Sequence, residues 1–115
     1  MRQIFVFGSN LAGIHGAGSA RAAMQEHGAV YGKGVGLAGN SYAIPTKDAN
    51  IRTMRIDDIK PYAHEFVAFA KANPEMKFNI VAIGCGLAGF TPKQIAPMFE
   101  GAPNNCEFIN GWNLV

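Results

Sequence analysis

An α/β fold with a largely parallel central sheet is predicted by three features of the sequence. Short, continuously apolar runs alternate with amphipathic ones in the order β-α-β-α-β-α-β, the pattern of strands joined by crossover helices. The strand-like runs are apolar enough to be buried in the middle of a sheet. Glycine, 14 of 115 residues against a usual ~7%, bunches directly after two of those runs. Residues 1–115 read as one undivided domain. Hydrophobic residues make up 49% and charged residues 16%, enough apolar material to fold without covalent staples.

Ile4–Phe7 reads as the first strand, ended by Gly8-Ser9-Asn10. A helix follows from about Ser19 to His27, with Ala20, Ala23, Met24 and His27 at helical spacing and Gly28 as its stop. Tyr31–Asn40 is rich in glycine and reads as a loop. Ser41–Pro45 is a second strand. Asp57 is the expected N-cap of a helix running to Asn73, with Ile59, Ala63, Phe66 and Ala70 facing inward and Pro61 in the first turn. Phe78–Ile83 is a third strand. Thr91-Pro92 opens a short helix to about Phe99, and Cys106–Ile109 is a last strand. Helices are expected on both faces, and ligands in such sheets lie beyond the carboxyl ends of the strands.

Composition narrows the function. The net charge of +2 is spread along the chain, so no extended basic field for nucleic acid is indicated. Cys85 and Cys106 are too few for a disulfide framework, and a reduced, cytoplasmic setting is expected. The apolar run at the N-terminus is too short for a signal peptide or a membrane span, so no membrane partner is expected. The histidines have no zinc spacing; neither a metal nor a cofactor is expected.

Two glycine-rich segments carry the candidate chemistry. In Asn10-Leu11-Ala12-Gly13-Ile14-His15-Gly16-Ala17-Gly18-Ser19-Ala20, glycines let backbone approach a ligand at a helix N-terminus, a ready anion site. A packed strand-to-helix turn would use the same residues. In Ala82-Ile83-Gly84-Cys85-Gly86-Leu87-Ala88-Gly89-Phe90, a row of amides can wrap a phosphate; a bulged strand end is the alternative. Between them in the chain, Thr46-Lys47 ends the second strand at the same rim. A lysine there can neutralise phosphate or attack an anomeric carbon. A solvated lysine paired with Asp48 is the plainer reading. His15 is a candidate acid–base or positioning residue, and Phe90 a candidate stacking residue.

The first segment lacks both G-x-G-x-x-G and a Walker A lysine. Its Asn-x-x-Gly-x-x-Gly-x-Gly-x-Ala pattern, carried by Asn10, Gly13, Gly16, Gly18 and Ala20, resembles the first ligand loop of macrodomains. Ile83-Gly84-Cys85-Gly86-Leu87 and Thr46-Lys47 are similar to motifs of two macrodomain branches. These are the terminal ADP-ribose protein glycohydrolases and the antitoxins that remove ADP-ribose from DNA. The resemblance spans about Ile4 to Phe99. It implies a three-layer α-β-α macrodomain-like sandwich, trimmed of the usual N-terminal strand as in a bacterial or phage type. The implied ligand is ADP-ribose or a related nucleotide, free or on ADP-ribosylated DNA or protein. Gly8, Ser9, Asn10, Gly13, His15, Gly16, Ala17, Gly18, Ser19, Thr46, Lys47 and Gly84–Phe90 would surround it. Lys47 is the main catalytic candidate, with Asn10 fixing the distal ribose. The aspartate of the protein-directed branch is Ala88 here, and no residue matches the family's acidic adenine reader. Two functions follow: hydrolysis of an ADP-ribosyl linkage, or capture of ADP-ribose or cyclic ADP-ribose without turnover. An unrelated Rossmann-like NAD protein is a weaker third.

Overall fold

Residues 1–112 are described by a computed structural model. The first strand, β1 (Arg2–Asn10), is longer at both ends than its apolar centre. It lies in the middle of the sheet, so both edges are paired and even Gly8-Ser9-Asn10 is held in the ladder. Helix α1 (Gly18–Glu26) follows. The predicted loop of residues 31–40 contains a short strand, β2 (Gly36–Ala38), that runs antiparallel to β3 (Ser41–Lys47). A three-residue strand between glycines has no periodicity to read; its neighbour's edge creates it.

Helix α2 (Ile56–Ala72) starts earlier than expected, with Arg55 rather than Asp57 as N-cap. Asp57 and Asp58 lie in the first turn, where carboxylates complement the helix dipole. Pro61 is therefore in the second turn, on the exposed side, and forfeits one intrahelical bond. Strand β4 (Met76–Ile80) precedes α3 (Pro92–Ile95), a 3-10 turn at Ala96–Phe99 and the last strand, β5 (Cys106–Phe108). The apolar run Val81–Ile83, expected as strand, bends out of the sheet: the Ile83 N–H turns back to the Val81 carbonyl at 2.7 Å. Ile83 is buried in the core all the same, so hydrophobicity could not mark where pairing ended.

The five strands are ordered β2-β3-β1-β4-β5, and all pairs except β2–β3 are parallel. Side chains alternate across the sheet. Ile4, Val6, Tyr42 and Ile44 face a large core with α2, α3 and the 3-10 turn, built on Phe66, Phe78 and Phe99. Phe7 and Ala43 face α1 through Ala20 and Ala23, a thinner core of small residues. That thin side lets α1 sit close to the sheet, with its N-terminus beside the ends of β1 and β3. Among the described residues no helix is long and apolar enough to cross a membrane.

Candidate diphosphate cleft

Parallel strands β1 and β3 deliver their carboxyl ends to the same edge, and the chain leaves β4 there too. A cleft of about 350 Å³ opens at that edge, within the ~300–1,000 Å³ of small-molecule sites. Both glycine-rich segments line it, with Gly8, Ser9, Asn10 and Gly16–Ser19 from the first side and Gly84, Gly86, Leu87 and Ala88 from the second. Thr46 and Lys47, at the end of β3, complete the lining. The two sides meet at Gly8 and Gly84, where a Cβ on Gly8 would come within 3.3 Å of the Gly84 nitrogen. A larger residue at position 8 would push the second loop away.

The start of α1 is bare. Its N-cap, Ala17, has no side chain to offer, no cap hydrogen bond forms, and the first turn contains no acid. Helix starts normally satisfy these N–H groups with a side chain; here Ala17–Ala20 line the cleft instead. In the second loop the Cys85, Gly89 and Phe90 amides close turns onto Ala82, Gly86 and Gly84. The Gly86, Leu87 and Ala88 amides find no acceptor among the described residues. Among the described residues Lys47 is the only charged one lining the cleft, and it makes no ion pair with any of them. Asp48 does not pair with it: its Oδ1 accepts the Asn50 and Arg52 amides at 2.8 and 3.0 Å. Two sets of unsatisfied donors and one ammonium, with no carboxylate among the lining residues, suit a polyanion.

Other candidates are placed differently. Asn10 lines the cleft, but its side chain clamps Ile14, donating to the carbonyl at 2.8 Å and accepting the amide at 3.0 Å. It organises the loop. His15 is outside the lining and 1% exposed. Its Nε2 is 3.1 and 3.2 Å from the Val30 and Lys33 carbonyls, its ring meets Phe7 edge-on, and its Nδ1 is buried without a partner. It ties the first loop to residues 30–33, which leaves it no route to a ligand. Gly13 is likewise outside, at φ 72° and against Gly32. Cys85, Gly89 and Phe90 shape the second loop from behind rather than line the cleft. Burial raises the Cys85 thiol above its ordinary pKa, so it stays protonated and its Sγ donates to the Ile83 carbonyl. Of the remaining histidines, His27 stacks on Phe5 and His64 is exposed on α2.

Five lining residues were not among the expected site residues: Ile14, Ala20, Ile51, Ala82 and Ile83. Ile51 lies in the β3–α2 loop with φ 61°, which nothing in its sequence neighbourhood announces.

No family model and no curated protein matches the chain. Among solved structures it is similar to a protein of unknown function from Bacteroides thetaiotaomicron, with 18% identity over 94% of this chain and 88% of that one and a TM-score of 0.60. At that identity the likeness concerns the fold alone.

Proposed function

We propose that the cleft holds the diphosphate of ADP-ribose or a close relative in a macrodomain-like fold, and that the protein hydrolyses an ADP-ribosyl linkage through Lys47. One observation carries the binding reading: unsatisfied amides at the start of α1 and in the Gly86–Ala88 loop line one cleft with a single lysine and no carboxylate. The motif resemblance at Asn10–Ala20, Thr46-Lys47 and Ile83–Leu87 supports ADP-ribose as the occupant. The amides would hold the diphosphate and so fix the distal ribose with its anomeric carbon toward Lys47. Lys47, at the end of β3, would act at that carbon. Calorimetric titration with ADP-ribose, AMP, NAD and cyclic ADP-ribose tests the ligand. Lys47→Ala is expected to retain ADP-ribose binding and lose release of ADP-ribose from modified DNA or protein; unchanged release rejects the lysine's role.

A second reading is capture without turnover. It is favoured by the absence of any acid–base partner for Lys47 among the lining residues: Ala88 stands where a carboxylate would help, and His15 is buried behind the loop. Binding of ADP-ribose with no release from any ADP-ribosylated substrate supports it.

A further inference from the structure

The mouth of the cleft is apolar, and it is assembled from three separate loops. Ile14 comes from the first glycine-rich segment, Ile51 from the β3–α2 loop and Leu87 from the second segment. They are 42%, 42% and 78% exposed, although each belongs to the lining. The Thr53 hydroxyl donates to the Ala88 carbonyl at 3.1 Å, tying the loops that carry Ile51 and Leu87.

Ile51 is held there against its own preference. A β-branched residue at positive φ is a genuine outlier and is strained there. Asp48 enforces it: its carboxylate accepts the Asn50 and Arg52 amides, its carbonyl accepts the Ile51 amide and its amide reaches the Arg52 carbonyl. Glycine or asparagine would satisfy that turn without strain. Ile51 still leaves two fifths of its surface exposed, so packing at home offsets only part of that strain.

Deeper in the cleft, polar side chains are already engaged. Ser9 donates to the Gly34 carbonyl, Asn10 is doubly bound to Ile14, and Thr46 donates to the Ser9 carbonyl at 3.4 Å. Among the described lining residues only Ser19 and Lys47 have polar side-chain groups with no partner in the protein. Ser19 belongs to the helix start, beside the phosphate amides of that reading, and Lys47 to the strand end, where the same reading sets it at the anomeric carbon. No side chain is left to read the edge of a base.

We infer that Ile51, with Leu87 and Ile14, forms an apolar lip that takes the ring system beyond the diphosphate by its faces. The cleft then selects nucleoside diphosphates as a class and is indifferent to the base. This rests on the diphosphate reading above and goes beyond it in naming what the site cannot discriminate. Flat rings gain from aliphatic contact whatever their hydrogen-bonding pattern, because the gain follows apolar area removed from water.

The experiment titrates wild type, Ile51→Gly and Leu87→Ser with ADP-ribose and with ADP, GDP, CDP and UDP, and melts each protein. Wild type is expected to bind the four nucleoside diphosphates within about fivefold of one another. Ile51→Gly is expected to melt a few degrees higher as strain is released, while every ligand weakens about tenfold, the loss of one aliphatic contact. Leu87→Ser, at an exposed position, should melt as wild type and weaken all ligands alike. A preference for ADP above tenfold, or unchanged affinity in Ile51→Gly, overturns the lip while ADP-ribose binding stands. Failure of wild type to bind any of these ligands overturns the lip and the diphosphate reading together.

Discussion

The two glycine-rich loops face one cleft but are held in opposite ways. The first is braced from outside. The buried His15 binds the Val30 and Lys33 carbonyls, Ser9 binds the Gly34 carbonyl, and Gly13 rests on Gly32. The second holds itself, with turns closed between Ala82 and Phe90 and one exposed outside tie, from Thr53. The glycines divide within the loops rather than between them. A Cβ on Gly13 or Gly34 would strike backbone at 2.3 and 2.0 Å, whereas Gly16, Gly18, Gly86 and Gly89 have nothing within 4 Å. The same residue type thus serves packing in one set and open approach in the other, which only neighbours distant in sequence can decide.

The largest effect that would test this contrast is Gly13→Ala. Positive φ and a clash with immobile backbone should cost at least about 3 kcal/mol, lowering Tm by roughly 10 °C or more. Gly34→Ala should be comparable, and a near-wild-type melt for either would remove the external brace. Next comes His15→Ala, expected to lose about 2–4 kcal/mol as a buried ring and its hydrogen bonds vanish. Limited proteolysis should then cut residues 30–34 faster; protection equal to wild type would mean His15 does not hold that segment. At the small end, Gly86→Ala should change stability by no more than about 0.5 kcal/mol yet weaken ADP-ribose binding, because the added methyl projects into open space beside the phosphate amides. Its mirror image, Thr53→Ala, should cost about 1 kcal/mol or less, measured by chemical denaturation; a loss as large as that of His15→Ala would show that the second loop is not self-supporting.

Much of the architecture was legible in advance because it depends on local pattern. The stripe Ile59, Ala63, Phe66 and Ala70 marked the buried face of α2, and Thr91-Pro92 marked the start of α3. The misreadings have specific causes. The polar ends of β1 are strand because a neighbour pairs with each, β4 with Arg2-Gln3 and β3 with Gly8–Asn10, and Val81–Ile83 lie beyond β4 although they are at least as apolar. Pro45 is tolerated inside β3 because β2 borders that strand only along Ser41–Ala43. At the site, Gly16–Ser19, Thr46-Lys47, Gly84 and Gly86–Ala88 were legible as glycine-rich segments and a lysine after strands, and they line the cleft. His15 was not legible as a brace, because a histidine in a loop looks alike whether it faces solvent or two carbonyls.

The sequence alone determined where strands and helices alternate and which segments carry the exposed amides, since both follow from residue type and short spacing. The tertiary structure decided which glycines touch protein and which touch the cleft, that Asn10 and His15 turn inward, and that Ile51 is forced to the mouth. Those outcomes depend on contacts between segments that meet only after β1, β3 and the end of β4 are brought side by side. A hydrogen-bond partner supplied from elsewhere in the chain leaves no trace in local sequence.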